Sequence, residues 1–156
     1  MALLAPAQLR LHSLVRRLVR DEDAVGDVLQ DTYLAAYRGL PKFRGESLFS
    51  TWLYRITYNA CLAYLKRVER NDARKVTGDQ ADAGHAESSV LKLDLARALD
   101  DLPVEQRALV LMVDRDGLDY QSAAEVLGIP LGTVSSRLAL ARGRLRRALA
   151  SEEREE

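Results

Sequence analysis

A stripe of side chains suited to nucleic-acid binding recurs at helical spacing between positions 52 and 66. Its members are Trp52, Arg55, Asn59 and Lys66. A helix would align them along one side, because residues three, four and seven positions apart share a face. Phe43 and Arg44 come shortly before them. Aromatic rings stack on unpaired bases, cations follow phosphates and amides bond base edges, so the pattern indicates a surface for single-stranded nucleic acid.

The individual members of this stripe also have ordinary structural interpretations. Trp52 suits core packing as well as it suits stacking, because large aromatic side chains are usually mostly buried. The same preference favours structural roles for Tyr54, Tyr58 and Tyr64. Asn59 points to function instead, since asparagine is a poor helix former and lies here among good ones.

A second candidate site lies in the last third of the chain, where two helical patterns flank Gly128-Ile129-Pro130. Gly128 suits the left-handed turn and Pro130 suits the first turn of the next helix. Residues 131–150 contain five arginines and no acidic residue. Their apolar residues at steps of four, three, four and four predict one buried face, made of Val134, Leu138, Ala141, Leu145 and Leu149. The stretch predicts a helix-turn-helix, whose second helix commonly enters the DNA major groove.

The rest of the sequence predicts an all-α protein with two small helical domains and a flexible linker. Residues 1–70 form the first domain, with helices over about 7–20, 21–38 and 47–70, the last two capped by Asp21 and Ser47. Residues 71–89 lack apolar periodicity and form the linker. Residues 90–150 form the second domain, and residues 151–156 form a charged tail.

The apolar spacing also predicts which side chains face the interior. In the first domain these are Leu11, Leu14, Val15, Leu18, Val25, Val28, Leu29, Thr32 and Ala36, with Leu53, Ile56, Ala60 and Tyr64 in the third helix. In the second domain Leu91, Leu95 and Leu99 share one face of a helix over 90–100. A further helix opens at Pro103 and ends near Gly117.

Composition excludes several classes of protein. One cysteine, Cys61, and two distant histidines leave no disulfide and no metal-ligand cluster. The longest apolar run has six residues and no secretion signal precedes it, so we expect a cytoplasmic protein without membrane insertion. No phosphate-binding loop or nucleophile–base motif is present, so neither an enzyme nor a cofactor is expected. Net charge is zero, yet residues 1–70 carry 11 basic and 7 acidic side chains, so DNA contact should come from local basic surfaces.

Motifs in both domains resemble extracytoplasmic-function (ECF) sigma factors. The stretches 27–37, 43–47 and 51–59 resemble the family's promoter-melting domain. The segments Leu102-Pro103, 116–120 and 129–138 resemble its domain for the minus-thirty-five element. Both matches occur in the family's order with a linker between them, and together they cover nearly the whole chain.

The resemblance implies a bacterial initiation factor whose partners are core RNA polymerase, promoter DNA and an anti-sigma factor. By motif position it implies that the polymerase contacts are Asp27, Gln30, Asp31 and Leu34. It assigns the melted minus-ten strand to Phe43, Arg44, Ser47, Trp52, Arg55 and Asn59, and Lys66 extends that stripe. It assigns the duplex minus-thirty-five element to Thr133, Ser136 and Arg137, with Arg144 on the same helix.

Two positions depart from the family pattern, because Ser135 and Leu140 stand where the family often has cations. The exact promoter sequence is therefore open. An ordinary helix-turn-helix regulator is the alternative interpretation, and it predicts specific DNA binding without polymerase. That alternative gives no reason for the stripe at Trp52, Arg55 and Asn59.

Overall fold

The computed structural model describes residues 4–72 and 90–154, which form two compact units. The first unit contains α1 (Leu4–Val19), α2 (Glu22–Gly39), a short 3-10 turn (Leu40–Lys42) and α3 (Phe49–Asp72). The second contains α4 (Val90–Asp100), α5 (Val104–Val110), a π-helical turn (Leu111–Arg115), α6 (Tyr120–Leu127) and α7 (Leu131–Glu152). The described residues include no strand, which confirms the all-α fold class.

The core of the first unit lies between α1, α2 and α3, each of which contacts the other two. All four predicted inward residues of α1 are buried, as are Val25, Val28, Leu29 and Thr32 of α2, whereas Ala36 is half-buried. Two buried threonines satisfy their hydroxyls within their own helices. Thr32 donates to the carbonyl of Val28 at 2.8 Å, and Thr57 donates to that of Leu53 at 2.7 Å. Neither hydroxyl therefore leaves an uncompensated polar group in the core.

Asp21 joins the start of α2 to α3. Its Oδ1 accepts a hydrogen bond from the Asp23 backbone N–H at 3.0 Å, so the predicted N-cap is confirmed. Its Oδ2 accepts from the hydroxyl of Tyr64, 3.1 Å away on α3. Burial, the hydrogen bond to Asp21 and the negative charge of Asp21 raise the pKa of Tyr64. One carboxylate thus caps a helix and fixes a second helix against it.

The predicted details of α3 need three corrections. The helix begins at Phe49, and the Trp52 N–H donates to the Leu48 carbonyl, so Ser47 does not cap it. The buried residues are Thr51, Leu53, Tyr54, Thr57, Tyr58 and Cys61, whereas Ile56, Ala60 and Tyr64 are half-buried. Because α3 packs against both α1 and α2, its buried face is wider than one apolar stripe and includes two tyrosines. The helix also includes the first two positions of the predicted linker, and residues 73–89 lie outside the described residues.

The second unit packs α4, α5 and α6 against α7. Val134, Leu138, Ala141 and Leu145 are buried as predicted, and Leu149 is half-buried. Gly128 ends α6 with φ 68°, and its N–H donates to the Ala124 carbonyl at 2.8 Å. Pro130 lies immediately before α7, one position earlier than the predicted first turn. The helix-turn-helix is therefore present at the predicted residues.

One prediction in the second unit, the inward position of Leu95, is wrong. Leu95 is 44% exposed, and the buried residues around it are Ala96, Ala98 and Leu99. Small alanines permit close approach of α4 to α7, and this packing turns Leu95 outward. The last helix, α7, continues through Glu152, two positions into the predicted charged tail.

Candidate nucleic-acid interface

Three aromatic rings form a cluster where the 3-10 turn leads into α3. Phe43 and Trp52 have ring centroids 5.0 Å apart, and Phe49 lies 5.8 Å from Phe43 and 5.6 Å from Trp52. These separations are typical of favourable aromatic pairs. Phe49 is 41% exposed, while Phe43 and Trp52 are half-buried. The cluster therefore combines packed aromatic rings with accessible aromatic surface, and a stacking site for unpaired bases requires such surface.

The packing bears on both interpretations of Trp52, as a core residue and as a stacking residue. It also adds Phe49 to the aromatic cluster, which the sequence prediction missed. Trp52 is compatible with both, since it packs in the cluster and is only half-buried. Gly39 lies directly beneath it, where a Cβ atom would come 3.1 Å from Trp52 Cζ2. Phe49 was missed, although its spacing of three residues from Trp52 places both on one helix face. Tyr54 and Tyr58 are buried, as their structural interpretation predicts.

The polar members of the stripe continue from the cluster along α3. Arg55, Asn59 and Lys66 are all exposed, and their spacing of four and seven residues keeps them on one side. Arg44 is exposed in the preceding loop, and Ser47 is half-buried there. The predicted single-strand residues therefore include stacking, cationic and amide groups that solvent can reach.

A different face of the first unit carries the predicted polymerase residues. Asp27, Gln30 and Asp31 are exposed on α2 and line an open groove whose other wall is α3. Arg67 of α3 places a guanidinium nitrogen 3.8 Å from the Asp31 carboxylate. Leu34 is 45% exposed, and it belongs to an apolar patch on the same helix and the following turn. The other members of this α2 patch are Tyr33, Tyr37 and Leu40. A contiguous exposed apolar patch beside carboxylates is typical of a protein-binding surface.

The arginines of α7 are less available than the sequence suggests. Arg137 donates through Nη1 to Glu105 on α5, forming an ion pair whose side chains are 41% and 33% exposed. Arg142 binds both carboxylate oxygens of Asp114, at 3.0 and 2.6 Å, and this bonding raises the pKa of Arg142. These two arginines therefore bind neighbouring parts of their own unit.

The remaining predicted duplex-reading groups also have identified contacts. Arg144 is exposed and donates to Oε1 of Gln106 at 3.0 Å. Ser136 is exposed, and its hydroxyl donates to the Thr133 carbonyl at 3.1 Å. Thr133 itself is half-buried. The Ser136 hydroxyl therefore lies on the exposed side of α7, whereas Thr133 and Arg137 are both half-buried.

The described residues offer little for other chemistry. They contain no group of three or more His, Cys, Asp or Glu side chains able to hold a metal ion. Burial raises the pKa of the Cys61 thiol to about 12, so that thiol is protonated near neutral pH. No helix within residues 4–72 and 90–154 is both long and apolar enough to cross a membrane.

Family models match both units. Residues 4–71 match the model for Sigma-70 region 2, and residues 92–145 match that for Sigma-70, region 4. The ECF RNA polymerase sigma factor SigM of Mycobacterium tuberculosis is 40% identical over 140 residues, covering 90% of this chain and 71% of the relative. The ECF RNA polymerase sigma-E factor of Escherichia coli is 35% identical over 150 residues, covering 86% of this chain and 78% of that protein.

Solved structures give the same result. The sigma factor RpoE of Bartonella quintana, in complex with the anti-sigma factor NepR, matches with a TM-score of 0.80 and 27% identity. That match covers 94% of each chain. CnrH in complex with the cytosolic domain of CnrY matches with a TM-score of 0.70 and 26% identity, over 96% of this chain and 86% of the other.

Proposed function

The chain belongs to the ECF sigma factors, and on that premise we propose how its two units divide the work of transcription initiation. The first unit holds the melted non-template strand, and the second reads the duplex upstream. Both act in the cytoplasm, where the polymerase works. The polymerase performs the chemistry, so no catalytic side chain is assigned to this chain.

The observation that carries this proposal is the surface of α3. An accessible cluster of Phe43, Phe49 and Trp52 leads directly to the exposed Arg55 and Asn59. Stacking compensates for the few kcal/mol that an unpaired base costs, and the cation and amide add phosphate and base-edge contacts. Arg44, Ser47 and Lys66 extend this surface at its two ends. A regulator that binds only duplex DNA does not need such a surface.

In the second unit, α7 enters the major groove through its exposed side. Thr133 and Ser136 contribute hydroxyl groups, while Arg137 and Arg144 contribute positive charge. A guanidinium has five N–H donors, so Arg137 can keep its bond to Glu105 and still donate to a phosphate. Phosphate contacts fix the register of the helix, and base contacts supply the sequence preference.

The partners follow from the α2 face and from the relatives. We propose that core polymerase binds Asp27, Gln30 and Asp31 together with the neighbouring apolar patch at Leu34. Carboxylates beside exposed apolar groups are complementary to a protein surface that is both basic and apolar. One similar structure is a complex with the anti-sigma factor NepR, and another is a complex with the cytosolic domain of CnrY. We therefore propose that an anti-sigma factor controls this chain by covering the α2 face or α7.

The experiment compares transcription by core polymerase with wild-type protein, Asn59→Ala and Arg137→Ala, on fully paired and pre-melted promoters. Asn59→Ala should assemble on the promoter but open it poorly, because a single-strand contact is lost while alanine preserves the helix. Pre-melting around the minus-ten element should restore Asn59→Ala more than Arg137→Ala. Permanganate footprinting measures the opening directly.

His12→Ala is the control, since His12 is exposed on α1 and does not belong to the stripe on α3. It should open promoters like the wild type. Equal restoration of both test variants by pre-melting would contradict the division of work. Tight, specific promoter binding without polymerase would instead favour the ordinary-regulator alternative.

A further inference from the structure

The solvent side of α7 presents a large apolar side chain where a DNA-reading helix could present a polar one. The buried side of this helix holds Val134, Leu138, Ala141 and Leu145. Leu140 projects away from that side and is 45% exposed. Its neighbours along this side are the exposed Ser136, one turn earlier, and the half-buried Gly143, nearly one turn later. Leu140 is thus the bulky group between two small ones.

The nearest arginines are directed to the flank of the helix. Arg137 and Arg144 each lie within about one turn of Leu140. Their side chains bond Glu105 and Gln106, which both belong to α5. Guanidinium groups are the usual readers of guanine, and the contacts of these two with α5 leave the uncharged Leu140 side chain exposed between them.

The hydroxyl of Ser136 limits which groups of the DNA it can contact. Its proton is already donated to the Thr133 carbonyl, so its oxygen can accept a bond from DNA. In the major groove the donors are the amino groups of adenine and cytosine. The thymine methyl is the apolar group exposed there, and it matches a leucine side chain.

We propose that Leu140 is a specificity-determining residue that reads a thymine methyl group in the minus-thirty-five duplex. The proposal rests on the proposed function, in which α7 enters the major groove. Contact between Leu140 and the methyl removes apolar surface of both from water. Ser136 accepts a hydrogen bond from an adjacent adenine or cytosine amino group. Arg137 and Arg144 hold the backbone from the α5 side.

The test removes the methyl without changing base pairing. The minus-thirty-five element is first selected with the complete chain and core polymerase, and each thymine in it is then replaced singly by uracil. At one position the substitution should weaken holoenzyme binding about fourfold, the effect of losing one buried methyl-sized group. With Leu140→Ala, thymine and uracil at that position should bind equally.

Leu95→Ala is the matched control, because Leu95 is 44% exposed on α4. It should retain the full uracil effect. Wild-type protein that tolerates uracil at every position overturns the proposal, and so does an unchanged uracil effect in Leu140→Ala. A selected element without thymine also overturns it. Failure of the proposed function is distinguishable, because polymerase would then give no sequence-specific binding at the selection step.

Discussion

Arg137 is the residue for which the sequence and the structure lead to different expectations. The sequence leaves two DNA partners open for it, a phosphate or a guanine edge. The structure pairs its guanidinium with Glu105 on α5, with both side chains partly exposed. Because this pair holds the guanidinium at the side of α7, we expect a phosphate contact. Arg137→Ala should therefore weaken duplex binding by the same factor for every sequence.

The expected loss of DNA affinity in Arg137→Ala follows from counterion release. One phosphate contact contributes about 0.9 to the slope of log affinity against log salt, which corresponds to roughly a fivefold loss at about 0.15 M salt. A guanine contact would instead cost about 1–3 kcal/mol at one base pair alone. Loss of the ion pair should cost the fold less than about 1 kcal/mol, because both partners are partly exposed and screened. The protein should therefore remain folded.

The assay measures holoenzyme affinity for a set of single-base variants of the minus-thirty-five element between about 0.1 and 0.3 M salt, a range over which phosphate contacts change affinity measurably. Arg137→Ala should lower the slope by about one and leave the ranking of the variants unchanged. Glu105→Gln is the control, because it removes the opposing charge while Arg137 remains; its affinity should equal or exceed that of the wild type. A loss confined to substitutions of one guanine would refute the reasoning.

Three further predictions concern the first unit, where Trp52 is the chain's one tryptophan and its fluorescence reports unfolding. Asp21→Ala should lower the free energy of unfolding by about 1–3 kcal/mol, because it removes an N-cap and the hydrogen bond from Tyr64. Its effect should not add to that of Tyr64→Phe, because both variants remove the same hydrogen bond. Since the folded pKa of Tyr64 is raised, this bond's contribution should be complete below pH about 10 and lost above it, as a pH series of urea titrations would record. Gly26→Ala should raise the free energy of unfolding of the unit by about 0.5–1 kcal/mol. Gly39→Ala should raise it by less and should slow promoter opening, because the added Cβ would displace Trp52.

Local signals in the sequence predicted the features that local chemistry controls. Asp21 caps α2 because an aspartate before a helix can accept an N–H, and Gly128 ends α6 because glycine readily takes a positive φ. The buried seam of α7 follows the spacing of its apolar residues. These features depend on neighbours within one or two turns, which are visible in the sequence.

Features that depend on distant partners could not be predicted in this way. Leu95 follows an apolar period, yet contact between α4 and α7 leaves it exposed. Glu105 is separated from Arg137 by 32 residues, so no local pattern relates them. The π-helical turn at Leu111–Arg115 also has no distinct sequence signal. Tertiary contacts determined the exposure of Leu95 and the pairing of Arg137.

The paired arginines affect how specificity can arise in this chain. The chain has 23 basic and 23 acidic side chains, and Arg137 and Arg142 are bound to carboxylates of their own unit. Free cations would attract every DNA sequence alike, and the genome offers a vast excess of non-specific sites. Ion pairing lowers this shared attraction, whereas a neutral contact such as that of Leu140 affects only sequences with a matching base. In the proposed division of work, this arrangement favours discrimination over raw affinity and leaves the remaining affinity to contacts with core polymerase.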